Sequence, residues 1–470
     1  MATAQAGDAS VAARSAHLRK DLGLFDLTLT QILFVVGLPW VGVAAKQGPA
    51  HVVLWLVAIV FFYLPSAAVV IYLNRANPLE GGLYQWAKLG FGELTGFLVA
   101  WNLWLFAILN TSEVGLQVTQ YFRYVLGPGG EWLTGAFWFV TAVNTVICAA
   151  LVLVTIRGLS IGKWVHKIGG ILMLTTFAML IALPWLNVAH GTLPAFDPFA
   201  TTMPVMSIMS LNIAAKMGFG ALGGFEYVAI HAGECRNPER TIARSVALAS
   251  PVIGLMFILG TSAVLALVPI DRIDLIAPIP QVLAEGFRSF GPAGAVATLT
   301  IVALLCIRVA QASVLFAGNT RLPMVAGWDG LLPPWFTRMH DRYQTPVNSI
   351  VFVGAVTLGF SVLGLIGVGK QEAFQLLWNA SGIFYGLTYL VMFALPMADG
   401  RAPGWLKIAA LSGFLSTLLF VAISILPIVQ VESRLAFAAK ISGIIVIANA
   451  IGAGIFLRFR LAPQGSAGTL

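Results

Sequence analysis

Residues 205–230 read VMSIMSLNIAAKMGFGALGGFEYVAI. The run is long and apolar enough to cross a bilayer, at about 20 residues per crossing. Its centre nevertheless carries Gly218, Gly220, Gly223 and Gly224, and a carboxylate, Glu226, follows. A second run, 27–46, has the same kind of defect in Gly37-Leu38-Pro39-Trp40-Val41-Gly42. Glycine and proline in membrane helices often serve close packing alone. Two interruptions at corresponding positions point elsewhere. Unwinding bares N–H and C=O groups, which lipid forbids unless protein, water or a ligand satisfies them. Half-helix N-termini suit a carboxylate and C-terminal ends suit a cation. An amino acid has both groups.

The rest of the chain fits this reading. Of 470 residues, 59% are AVILMFWYC and 10% are DEKR, against roughly 45–50% and about 25% in a soluble domain. That excludes a water-soluble globule and leaves no room for a separate soluble domain. Apolar windows fall near 27–46, 52–73, 94–117, 133–156, 165–186, 205–230, 244–269, 293–318, 347–368, 373–396, 405–428 and 437–457, predicting twelve spans with both termini on one side. Eighteen of the 27 Lys and Arg fall on that side and seven opposite. The positive-inside bias therefore predicts cytoplasmic termini in the cell membrane. It also explains the charge of +8 without a nucleic-acid partner. The first apolar run lacks a cleavage pattern and reads as a retained span. Cys148, Cys235 and Cys306 form neither a disulfide framework nor a metal-ligand pattern, and they read as buried small residues.

Each interrupted run opens a block of five spans. Because five is odd, the second block enters from the opposite side, as in transporters built from inverted repeats. The predicted fold is an all-α polytopic membrane protein of 12 helices: a 5+5 inverted repeat with helices 1 and 6 broken, plus two C-terminal helices. Its parts are a cytoplasmic segment 1–26, repeats 27–186 and 205–396, helices 11 and 12 at 405–457, and a tail 458–470.

Several stretches resemble the amino acid–polyamine–organocation superfamily: LRKDLGLFDL (18–27), NPLEGGLYQWAKLGFGELTGFLVAWNLWL (77–105), GGFEYVAIHAGECRNPERTIARSV (223–246) and TRLPMVAGWDGLLPPWFTRMHDRYQTPVNSI (320–350). The resemblance covers nearly the whole chain. It implies the leucine-transporter-type fold and an acidic position at Glu226 that lines the substrate path and responds to protonation. Gly37-Leu38-Pro39-Trp40 and RGLSIGKWVHKIGG (157–170) look more like the polyamine-type branch. The acid that branch places after the break is replaced by Val43-Ala44-Ala45, and the span-five lysine of several proton-coupled members is missing from 171–174.

Candidate substrate-binding residues are Gly37, Leu38, Pro39, Trp40, Gly42, Asn110, Gly220, Gly223, Gly224 and Phe225. A charge at bilayer depth costs roughly 2.5–3.5 kcal/mol and must face the interior with a partner. Glu226, Arg308 and Lys216 are accordingly the coupling candidates, with a plain ion pair between Glu226 and either cation as the alternative. Arginine keeps its proton, so Arg308 would act as a fixed counter-ion beside the first break. Glu113 reads as an outer-end structural acid and Asn102 as helix–helix glue. Glu234, Arg240, Arg321 and Asp329 are candidates for a cytoplasmic gate of ion pairs made in one state and broken in the other. His231 lacks a partner set and His166 falls in a connection, so no metal site is expected.

No nucleophile–base or metal constellation recurs, so the chain is not read as an enzyme and needs no cofactor. No repeat of pore-lining charges supports a channel. The sequence predicts a secondary transporter moving an amino acid or related amine by alternating access, coupled to a proton or working by exchange. A polyamine or organic-cation permease, or a nutrient sensor on the same fold, are the alternatives. Partners are the small-molecule substrate, a proton and the lipid bilayer.

Overall fold

A computed structural model describes residues 20–127, 129, 131–134, 136–205, 207–363, 370–426 and 433–461. The predicted tail 458–470 and segment 1–26 lie largely outside these. Among the described residues the architecture is all helical, with one isolated β-bridge, Leu22 to Cys235. In chain order the main elements are α1 (Leu24–Val35), α2 (Trp40–Ala45), α3 (Gly48–Ala76), α4 (Leu83–Phe91), α5 (Glu93–Leu126), α6 (Phe137–Ile156), α7 (Leu159–Ala189) and α8 (Ile208–Ala215). A 3₁₀ helix, Phe225–Glu234, follows. Then come α9 (Pro238–Leu267), α10 (Pro278–Gly286), α11 (Ala295–Trp328), α12 (Val347–Leu363), α13 (Lys370–Ala398), α14 (Gly404–Ser424) and α15 (Arg434–Leu461).

Ten helical stretches among the described residues are long and apolar enough to cross a membrane, and Leu24–Val35 and Val347–Val362 are shorter apolar helices. The chain is a multi-pass membrane protein. Exposed Leu, Ile, Val, Phe and Trp side chains are numerous, including Val146, Leu299, Ile408 and Leu435. That pattern suits a lipid surround, where an outward apolar face costs nothing.

The first helix pair is held deep in the bundle. Helix α1 packs against α7, α9 and α11, and α2 packs against α9 and α10. Close approach is bought with small residues: an ideal Cβ on Gly169 would stand 2.5 Å from the Ala310 Cβ, and one on Gly170 2.8 Å from the Leu29 Cβ. Helix α10 packs on α2, with Pro278 pressed onto Gly42.

Three sequence expectations change. Helix α5 runs on from the predicted 94–117 to Leu126, so Glu113 lies well inside it, at the junction of Glu93–Ser112 and Val114–Leu126, and is 4% exposed. His166 is buried within α7, with Nε2 3.3 Å from the Ser313 hydroxyl, because α7 begins at Leu159 rather than near 165. Cys306 is exposed while Cys148 and Cys235 are buried.

Candidate functional site

Both interrupted runs are broken. Helix α1 stops at Val35, Val36 leaves helical geometry at ψ 86°, and Pro39 caps the restart at Trp40. A proline suits that place because its missing N–H would be unpaired anyway. The freed carbonyls of Leu33 and Val36 both accept from the Gln311 amide of α11, at 2.9 and 2.8 Å. In the other run, α8 widens into one turn of π-helix at Lys216–Gly220, and the chain leaves the helix at Gly223 and Gly224. Gly224 has φ +138°, a region open to glycine and strained for other residues. Its N–H donates to the Tyr389 hydroxyl at 2.6 Å, and its carbonyl accepts from Gln31 at 3.4 Å.

Trp40 joins the two breaks. An ideal Cβ on Gly37 would stand 2.4 Å from its Cδ1, and one on Gly220 2.6 Å from its Cη2. The indole therefore lies across both glycines, tilted against Trp378 at 5.7 Å between ring centroids. A cavity of about 110 Å³ opens beside it. Gly37, Leu38, Pro39 and Trp40 line it from the first break, Gly220 and Gly223 from the second, and Asn110, Lys216 and Arg308 from the helices around them. Gly42, Gly224 and Phe225 do not line it. Gly42 meets Pro278, Gly224 lies against Phe34, and Phe225 stacks on Tyr63 at 4.6 Å. Replacing Gly220 by Val should push the indole into the cavity and abolish ligand-induced thermal stabilisation. Overpacking of this kind costs about 1–3 kcal/mol, so the protein should still reach the membrane.

Glu226 is fully buried and makes no ion pair with Lys216 or Arg308. Both of its carboxylate oxygens accept hydrogen bonds from hydroxyls, one from Tyr385 and one from Tyr389. These tyrosines stand four residues apart on α13, so they share one face. Tyr385 lines the cavity and Glu226 sits behind it. Arg308 donates through Nε to the Gln117 side chain and through Nη1 to the Gln311 carbonyl at 3.2 Å. The contact with the freed carbonyls of the first break is thus made by Gln311, with Arg308 one bond further out. Lys216 reaches Asn379 at 3.4 Å. Neither oxygen of Glu113 has a hydrogen-bond partner.

The cavity lies on the Lys216 side of the second break. On the other side, past Phe225, polar groups close the bundle. Arg321 Nη2 donates to Glu234 at 3.0 Å, and the other Glu234 oxygen is 2.8 Å from His231 Nδ1. Glu80 accepts from the Gly233 N–H at 2.6 Å, and its second oxygen is unpartnered. Lys20 donates to the Gly233 carbonyl. Burial first, and then the neighbouring Glu234 carboxylate, hold the Glu80 carboxyl well above its ordinary pKa. Asp329 pairs with Lys88 at 2.7 Å and accepts from the Tyr84 hydroxyl. The backbone adds a clasp: Leu22 N–H donates to the Glu234 carbonyl and Arg236 N–H to the Leu22 carbonyl, each at 3.1 Å.

Of the gate candidates, Glu234 and Arg321 meet each other, and Asp329 finds Lys88 instead. Arg240 is exposed on the first turn of α9 with no ion pair among the described residues, since the turn at Asn237 directs that face outward. His231, read from the sequence as partnerless, has Glu80 and Glu234 beside it, their ligand atoms within 4.8 Å of one another. Arg321 pairs with Glu234 there, and Lys20 adds positive charge beside Glu80. Glu80, Lys88, Gln311, Tyr385 and Tyr389 were not singled out from the sequence. Two signals were available: the three-residue step from Arg308 to Gln311, and the four-residue step between the tyrosines, each of which shares a helix face.

Comparison with known proteins agrees with this architecture. Residues 22–451 match the family model described as amino acid permease. An uncharacterized transporter of Legionella pneumophila is 25% identical over 80% of this chain and 81% of its own. A methylthioribose transporter of Bacillus subtilis is 24% identical over 77% and 78%. A branched-chain amino acid permease of the same organism is 24% identical over 77% and 80%.

Proposed function

Since the chain belongs to the amino acid permease family and is a transporter rather than an enzyme, we propose that it carries an amino acid or related amine through the cavity between its two broken helices. The observation that carries this reading is the meeting of the breaks: residues from both line one cavity, and Trp40 touches glycines of each. Twelve spans in a 5+5 inverted repeat, with termini in the cytoplasm, supply the frame. In it the Lys216 side faces outward and the Glu234–Arg321 side faces the cytoplasm.

Transport then requires two events. A guest fills the cavity from the outer side, and the pairs Glu234–Arg321 and Asp329–Lys88 part while the outer side closes. The guest earns this switch only through contacts that differ between the two states. Glu226 is the coupling group. Its two oxygens are held by the Tyr385 and Tyr389 hydroxyls of α13, so movement of α13 against the second break changes the partners of this carboxyl group.

A polyamine or organic-cation permease fits less well. Such a guest asks for carboxylates, and the cavity lining contains Lys216 and Arg308 and no acid.

Uptake of labelled substrate and counterflow in proteoliposomes test the reading. Uptake abolished by an opposing gradient, together with counterflow, supports a carrier. Binding without counterflow would make the protein a sensor. Glu226→Gln should leave folding intact and flatten the pH dependence of uptake; an unchanged pH profile removes Glu226 from coupling.

A further inference from the structure

The charges around the cavity divide unevenly by position. Lys216 and Arg308 both line it, and no carboxylate does. Among the described residues neither cation makes an ion pair: Arg308 is held by two neutral amide oxygens and Lys216 by one. A lysine offers three donors and an arginine five, so both side chains keep donors beyond the bonds they make here. The two acids of the neighbouring spans face elsewhere. Glu226 has both oxygens occupied by tyrosines and stands behind Tyr385. Glu113 is buried within α5 and is not among the residues that line the cavity.

From this arrangement we infer that the guest carries two carboxylates: it is a small dicarboxylate of the acidic amino acid type, with one carboxylate on Arg308 and the other on Lys216. The inference rests on the carrier reading above and narrows its substrate. A desolvated charge without a partner is strongly unfavourable. A neutral amino acid has one carboxylate for two cations, and a basic amino acid or diamine adds positive charge to a site that already holds an excess. A second carboxylate answers the second cation. Gln311 fixes the geometry. Its N–H₂ group donates to the Leu33 and Val36 carbonyls, which leaves its oxygen to accept from Arg308 and ties the guanidinium to the first break. Aromatic walls, among them Phe106, Phe219 and Trp378, would enclose the methylenes between the two carboxylates. The size of about 110 Å³ suits a guest of a few carbons.

The test uses the full chain, purified and in proteoliposomes, with aspartate, glutamate, succinate, leucine, lysine and putrescine as probes. Aspartate or glutamate should raise the melting temperature and be taken up about tenfold or more better than leucine or lysine. Lys216→Met should weaken the acidic amino acids by about tenfold while improving leucine relative to them. Preference for leucine, lysine or putrescine overturns the inference and leaves the carrier reading standing. Succinate bound and transported with aspartate and glutamate rejected keeps the two-carboxylate site and overturns the amino acid reading. No stabilisation and no uptake by any probe overturns both.

Discussion

Gly224→Ala is expected to lower the stability of the purified protein by about 2–6 kcal/mol, the sum of backbone strain of about 1–3 kcal/mol and overpacking of similar size. Gly224 has φ +138°, and a methyl group there would meet the Phe34 ring at 2.8 Å and Val35 at 2.9 Å. Relief is blocked on both sides, since Phe34 stacks on Tyr227 at 4.4 Å and the Gly224 N–H is fixed on Tyr389. The strain falls where the second break must hold its shape, so uptake should be lost before the fold is. Melting curves in detergent measure the first effect and proteoliposome uptake the second. Gly400→Ala, where a Cβ meets nothing within 4 Å, should change neither by more than about 0.5 kcal/mol or its equivalent in rate. Equal behaviour of the two variants would show that the glycine conformation at the break is unimportant.

Arg321→Ala should cost about 3–5 kcal/mol, the range for removing one partner of a buried pair. Arg321 is 3% exposed, and its loss leaves the buried Glu234 and Glu80 carboxylates within 4.8 Å of each other and of His231 without their arginine. Cys235 and the Leu22 clasp pack against the same group. The double variant Arg321→Met with Glu234→Gln removes both charges, so it should recover much of the loss. A double-mutant cycle on melting temperatures reads the coupling directly. If the pair also holds the cytoplasmic side shut, the double variant should melt near the wild type yet transport poorly. Wild-type stability in Arg321→Ala alone would show that the pair contributes little.

Much of this site was legible in residues 37–40 and 218–226 because glycine and proline break a helix for local reasons, independent of the rest of the fold. Arg308 and Lys216 were legible for a similar reason, since a charge in an apolar run is costly wherever it sits. Their partners were not. The pairing of Glu226 with Tyr385 and Tyr389, rather than with Arg308, depends on how α13 lies against the second break, and no spacing encodes that. Gln311 was hidden because an uncharged amide in an apolar helix carries little cost on its own; its role appears only once Leu33 and Val36 present their carbonyls. Glu80 was passed over because NPLEGG reads as an exposed connection, whereas the loop folds inward and Gly82 sits on the Ala229 backbone. Glu113 misled in the opposite direction: helix α5 is longer than its apolar window, so a residue near the end of the window is far from the end of the helix.

The pairing of Leu22 with Cys235 has a mechanical meaning. Two main-chain bonds rivet the beginning of α1 to the exit of the 3₁₀ helix, and Phe34 on Tyr227 adds a second rivet higher up. The two interrupted rods are therefore tied to each other at two levels, by main-chain bonds and by stacked rings. On the proposed carrier reading, a displacement of one rod is carried to the other, and the Glu234–Arg321 side opens through both at once.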